Sequence, residues 1–207
     1  YQLFGHLQSR LADPLLLNVG AMLERSEVGG TNLSPRASLN WEFSRGHTLR
    51  AGVATATRHP VLYENEADTV IQVSRYAAPN TSFPYQVQSS LGNLEPELIR
   101  SHELAYVGRV PALDLNVGLR LFRDEMRRMI SEESETYQNL NAIDTEGFEA
   151  ELSFRPTPRS RVAAAYSTAD TDTEDLSDEG IEQATPEHTF SLLLNRAFGA
   201  HWESSLW

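Results

Sequence analysis

Between Leu113 and Leu121 every second residue is apolar: Leu113, Leu115, Val117, Leu119 and Leu121 alternate with Asp114, Asn116, Gly118 and Arg120. Successive side chains of a strand point to opposite faces, so this rhythm makes a strand with one greasy and one polar side. A helix would scatter the same leucines around its circumference. The pattern recurs along the chain. Leu15, Leu17, Val19, Ala21 and Leu23 oppose Asn18, Gly20 and Glu24, and Ala37, Leu39, Trp41 and Phe43 oppose Arg36, Ser38, Asn40 and Glu42. Phe148 to Phe154 and Phe190 to Leu194 repeat it, and weaker members cover Tyr1 to Leu11, Thr48 to Thr57, Ile99 to Val110, Arg161 to Ala169 and Ala200 to Trp207. The sum is about ten strands, nearly all near the 9 to 11 residues of a tilted membrane-crossing strand.

A soluble sandwich also alternates, so the connections must discriminate. Short turns are expected at Ala12 to Pro14, Ser44 to His47, Pro111 to Ala112, Arg155 to Ser160 and Ala197 to Gly199. Between them lie longer polar links at Ser26 to Pro35, Arg58 to Leu98, Arg127 to Asp144 and Asp170 to Glu187. Short turns on one rim and long loops on the other are the habit of outer-membrane barrels. Trp41, Phe43, Phe154, Phe198 and Trp202 lie beside the short turns, where an interfacial aromatic girdle belongs. The middles of the proposed lipid faces carry no Asp, Glu or Arg. The expected fold is therefore all-β: an antiparallel up-and-down transmembrane β-barrel, present as a single partial barrel domain over residues 1–207 with a long extracellular loop at 58–98. Cut from its neighbours, such a run of strands is expected as a curved open sheet or a small partial barrel.

Composition removes other classes. Mean hydropathy is −0.40 and the longest apolar runs are short, against the roughly 20 residues a spanning helix needs. A barrel keeps such an average because half of each strand faces the lumen. There is no cysteine, hence no thiol nucleophile, disulfide or thiolate metal site. Every cation is arginine, and a net charge of −12 argues against a nucleic-acid partner. No apolar leader opens the chain, so its natural ends are expected beyond Tyr1 and Trp207.

Several stretches resemble the barrel of TonB-dependent receptors, in its C-terminal half. Leu33-Ser-Pro-Arg-Ala-Ser-Leu-Asn-Trp41 is similar to the family's entry into a descending strand. Thr57-Arg-His-Pro-Val-Leu-Tyr-Glu64 resembles its Arg-x-Pro-x-Leu-x-Glu run, carried here by Arg58, Pro60 and Glu64. Gly92-Asn93-Leu-Glu-Pro96-Glu97, then Arg100-Ser-His-Glu-Leu-Ala-Tyr106, resembles its Gly-Asn-x-x-Leu-x-Pro-Glu and Ser-x-Glu-Leu-Gly-Tyr segments, with Ala105 in place of the usual glycine. Asn141 to Leu152, which includes Gly147, and Arg155 to Pro158 look like its Gly-x-Glu-x-Glu strand and the turn after it. The resemblance implies a plugged barrel of about 22 strands that binds a small-molecule ligand outside and imports it actively. Its implied partners are outer-membrane lipid, an N-terminal plug domain and the TonB energy-coupling complex, the last two reached through sequence this chain does not contain. No cofactor is implied.

These motif residues read mainly as architecture: Gly92 and Asn93 suit a turn with positive φ, and Pro96 can open a strand. Glu103, Arg120, Glu149 and Glu151 fall on the lumen parity, where the family's wall meets its plug. The loop residues Arg75, Tyr76, Phe83 and Tyr85 are the candidate ligand contacts, an arginine and three aromatics able to stack on or hydrogen-bond a metal chelate; loop aromatics also pack on neighbouring loops. The acidic run from Asp170 to Glu182 lacks calcium-loop spacing and reads as solvated. No enzyme is expected. His188 and Ser191 are three apart on a strand and face opposite sides, so they cannot act as base and nucleophile, and the remaining histidines show no paired metal spacing. A passive porin-like or adhesion barrel would need the same lipid-facing rhythm and stands as the alternative.

Overall fold

A computed structural model describes residues 1–74, 82–173, 185–199 and 201–207. The described residues form one open sheet of twelve strands: β1 (Gln2–Ala12), β2 (Leu15–Ser26), β3 (Gly30–Ser44), β4 (His47–Arg58), β5 (Asp68–Ser74), β6 (Ser82–Ser90), β7 (Glu97–Val110), β8 (Leu115–Glu133), β9 (Thr136–Thr157), β10 (Ser160–Thr173), β11 (His188–Phe198) and β12 (Trp202–Leu206). Ten of them follow one another as an antiparallel meander, β1-β2-β3-β4-β7-β8-β9-β10-β11-β12, while β5 and β6 form a side hairpin. The one parallel pairing is Ser89–Ser90 of β6 against Thr136–Tyr137 of β9.

Four expectations are corrected. Ser26 to Pro35 and Arg127 to Asp144 are mostly strand, because β2–β3 pairing runs out to Ser26↔Gly30 and β8–β9 pairing to Glu133↔Thr136. A ladder needs only backbone groups, so their polar side chains do not prevent it. Likewise Arg58 to Leu98 is no plain loop: a five-residue helix α1 (Leu62–Glu66) and the β5–β6 hairpin lie within it. Leu113 also leaves its strand. It ends a single 3-10 turn, Pro111–Leu113, after which Asp114 takes a left-handed φ of 46° and β8 begins at Leu115.

The registers sort side chains cleanly onto two faces. Leu15, Trp41, Leu49, Tyr106, Leu119, Ala150, Tyr166 and Phe190 are successive partners in one rung. The next rung joins Leu17, Leu39, Ala51, Leu104, Leu121 and Phe148. Among the described residues no second layer covers this face: Leu104, Leu121 and Phe190 are about half exposed or more, and the hydrophobic core is reduced to Ala67, Leu94, Ala142 and Ile143. A sandwich would have packed these leucines against another sheet.

The apolar face stops abruptly, and at a height that shifts from strand to strand. On β8 the first outward charge is Arg123, whose rung runs through His102, Val53 and Ala37 to Val19 on β2. On β2 itself the first outward charge is Arg25, six residues further along. Six residues are about 20 Å of strand, gained over four strand spacings of about 4.8 Å. Between β8 and β2 the edge of the apolar band therefore climbs at about 45° to the strands, as expected when tilted strands pass through a flat hydrocarbon slab, whereas from β8 through β9 to β10 it stays level, Arg123, Glu146 and Asp170 being partners in one rung.

Candidate functional site: the inner wall and its mouth

The opposite face is polar and tightly ordered. Arg50, Ala105, Arg120 and Glu149 share one rung across β4, β7, β8 and β9, and the rung above it holds Gly52, Glu103, Phe122 and Gly147. The small partners Ala105, Gly52 and Gly147 let the long side chains lie along the wall. Arg50 Nε is 2.9 Å from Glu103 Oε1, Arg120 Nε is 3.5 Å from Glu103 Oε2, and Arg120 Nη1 donates to Glu149 Oε2 at 3.1 Å. The Arg120 guanidinium also stands 4.7 Å over the Phe122 ring, a cation–π contact.

Glycines make this possible. A Cβ on Gly147 would lie 2.2 Å from the Thr168 carbonyl oxygen and 2.6 Å from the Phe122 ring, and one on Gly52 would lie 2.8 Å from Glu103 Oε1. Of the expected lumen residues, Glu103, Arg120 and Glu149 thus form one network. Glu151 stays outside it, paired in the ladder with Gly118 and Ala165 and exposed. Arg50, Gly52 and Phe122, not singled out by sequence, belong to it. An open cavity of about 510 Å³ lies in front, lined by His6, Asn18, Arg36, Asn40, Arg50 and Glu103 among others.

At the top of β4 the Arg-x-Pro-x-Leu-x-Glu run closes on itself. Arg58 donates to Glu97 through Nε and Nη2 and to both oxygens of Glu64 through Nη1, at 3.1 and 3.0 Å. Glu64 also accepts from the Val61 amide at 2.9 Å, and Glu97 from the Ile130 amide at 2.8 Å. Burial pushes the Glu97 carboxyl up, but its hydrogen bonds from Arg58 and Ile130 outweigh that and hold it below the usual range. The Arg58 guanidinium is held even more firmly protonated, chiefly by its bond to Glu97. Gly92 has the expected positive φ of 73°, whereas Asn93 does not share it, so one residue suffices to turn the chain. Pro96 immediately precedes β7, as expected. Pro60 is buried beneath α1, next to His59, which packs against Gly29. A second clasp is Asn139, whose side chain bonds the Glu95 amide and carbonyl at 2.7 and 2.9 Å and the Arg128 carbonyl at 2.7 Å.

Of the candidate ligand contacts, Arg75 and Tyr76 lie outside the described residues, and for Phe83 only its place in β6 is described. Tyr85 donates to Glu135 at the tip of the β8–β9 hairpin, and that carboxylate pushes its phenol up. Beside it Tyr63 hydrogen-bonds Gln88 and meets the Tyr137 ring edge-on at 6.1 Å, and Ser89 N donates to Glu135 O at 2.7 Å. The β5–β6 hairpin is thereby latched to the top of β9.

Nothing in this set resembles a reaction centre. His188 and Ser191 sit on opposite faces, and His188 bonds Tyr166 at 3.1 Å. Among the described residues no three His, Asp or Glu side chains gather as metal ligands.

The family model for the β-barrel of TonB-dependent receptors ("TonB dependent receptor-like, beta-barrel") matches residues 1–207. The chain belongs to the TonB-dependent receptor family. Among solved structures it is similar to the siderophore receptor PirA from Pseudomonas aeruginosa, with TM-score 0.76 and 18% identity over 94% of this chain and 36% of that one. PirA from Acinetobacter baumannii gives 0.75 and 16% over 99% and 32%. The ferric enterobactin receptor PfeA from Pseudomonas aeruginosa, a mutant form in complex with enterobactin, gives 0.73 and 18% over 94% and 30%. At these identities the likeness is one of fold, and the chain spans about a third of the length of the receptors it matches. No curated protein matches. The family and these neighbours are receptors for transport, and the fold is that of a partial TonB-dependent barrel.

Proposed function

We propose that the chain is part of the wall of a plugged bacterial outer-membrane receptor that binds a scarce nutrient, a siderophore, cobalamin or another metal complex, and imports it into the periplasm with energy delivered through TonB. The observation that carries this reading is the contrast between the faces: an uncovered apolar band whose leucines are half exposed, and behind it an ordered Arg50–Glu103–Arg120–Glu149 network. Half-exposed carboxylates and guanidiniums on a lumen wall are surfaces for a plug domain, which would complete their hydrogen bonds; Glu103, Glu149 and Glu151 are the wall's acidic contacts in this reading. The latched apex with Tyr63, Tyr85 and Tyr137, together with Arg75, Tyr76 and Phe83, is the ligand-facing part.

The test is uptake by cells that carry the full-length gene or its deletion, supplied with defined iron complexes and cobalamin. The reading expects accumulation of one of these only with the gene present and TonB intact. Equal accumulation without TonB would make the barrel a passive pore.

A further inference from the structure

The outward face is not uniformly smooth. Across β1 to β4 it sinks where small residues meet: Gly5, Ala21 and Pro35 are partners in one rung, and Ala37 and Val53 in the next. Larger side chains, Leu3, Leu7, Leu23 and Leu33, stand around this dip, and the resulting groove measures about 820 Å³. A second hollow of about 580 Å³ shares Ala37, Val53 and His102 with it and continues past Leu39, Leu104 and Leu121. Both reach the edge of the apolar band at one place, where Arg100 and His102 line the first and His102 and Arg123 the second. His102 and Arg123 are direct ladder partners. Arg100 and His102 are exposed and have no hydrogen-bond or ion-pair partner among the described residues. Arg123 is half exposed while touching Glu125 at 3.3 Å and Asp144 at 3.6 Å.

We propose that this groove holds an acyl chain of a phosphate-bearing lipid, with the phosphate lying over Arg100, His102 and Arg123. An apolar trough that ends in two arginines and an imidazole on a membrane-facing wall matches an amphiphile in both parts: the chain replaces hydrocarbon contacts, and the arginines supply charge-assisted hydrogen bonds to phosphate oxygens. The Arg100 guanidinium, opposite Glu125 in the ladder but not bonded to it, suits an anionic headgroup at the band edge, while an uncharged lipid would leave it unmatched. The inference rests on the reading of this face as lipid-facing.

The experiment uses the full-length receptor in mild detergent, mixed with dioleoyl phosphatidic acid, dioleoylglycerol or inorganic phosphate, and counts retained molecules by native mass spectrometry. Phosphatidic acid is expected to remain bound, with dioleoylglycerol and phosphate alone retained about tenfold less, the loss of charge-assisted bonds. Arg100→Gln with His102→Gln removes two of the three headgroup contacts, leaving the Arg123 that Glu125 and Asp144 already engage, and lowers retention by a similar factor. Gly5→Phe fills the trough instead, at a position where an added Cβ meets no atom within 4 Å, and lowers retention with the cations intact. Arg161→Gln on the inner face leaves retention unchanged. Equal retention with and without the phosphate, or in both groove variants, would overturn the proposal and mark adventitious lipid only. A nitroxide at Leu119→Cys separates the two levels. Oxygen-accessible, it leaves the lipid-facing reading standing when retention fails; water-accessible, it removes that reading as well.

Discussion

The two faces of the same strands obey different rules. Outward, Leu104, Leu119 and Leu121 touch few protein atoms and need only be apolar. Inward, the members of the network have places fixed by neighbours: Glu103 over Gly52, Phe122 over Gly147, Arg120 between two carboxylates. One side answers to a solvent and the other to geometry. Substitutions of equal size should consequently differ in cost according to face, not according to burial.

The sharpest break would come from charge on the outward face. Leu119→Arg in the full-length protein is expected to lower folding stability by about 2 to 4 kcal/mol, the penalty for arginine at mid-bilayer, read from the urea midpoint of refolding into lipid vesicles. An effect near zero would mean that the residue does not meet hydrocarbon. Next comes Gly147→Ala. The obstructing Thr168 oxygen is backbone and cannot swing aside, so a loss of about 1 to 3 kcal/mol is expected from overpacking. The same measurement on Gly5→Ala, with open space around it, should show no such loss.

A smaller, local effect is expected at the Arg58 clamp. Glu97 has its carboxyl held below the ordinary range in the folded protein, so its stabilising share is complete above that range and is lost as pH falls through the depressed value. Arg58 keeps its charge throughout. A spin label at Leu62→Cys should become mobile only when the pH falls below the ordinary glutamate range, and Arg58→Ala should give that mobility at neutral pH. A label that stays rigid in the alanine variant would show that the clamp does not hold α1. The least effect is expected from Leu119→Ile, an outward change that keeps shape and polarity class and should fall below about 1.5 kcal/mol.

Much of this contrast was legible in the chain. Period two sorted Leu115 to Leu121 from Asn116 to Arg120 without reference to any partner strand, and each of the ten meander strands was in view. What escaped depends on pairing. The polar ends of β8 and β9 read as loop because hydropathy reports the solvent of a side chain, while ladder hydrogen bonds belong to the backbone. Arg50 and Phe122 escaped because their roles arise only when four strands align in register. Glu103, Arg120 and Glu149 were found by parity, and Arg58, Glu64 and Glu97 by resemblance, yet that Arg58 grips both glutamates is a fact of the turn at Pro60. The bond from Tyr85 to Glu135 likewise depends on the β5–β6 hairpin meeting the tip of β8–β9.

The inclined apolar band also governs how such a protein can change its length. Two extra residues in a tight turn would slide a whole strand by about 7 Å, drawing Arg123 or its equivalents toward hydrocarbon and lifting leucines into water, and a single residue would exchange the faces outright. Insertions and deletions are tolerated only on the rim where α1 and the β5–β6 hairpin already interrupt the meander. Diversity among descendants of this wall should accumulate at that end, with the opposite rim staying nearly constant in length.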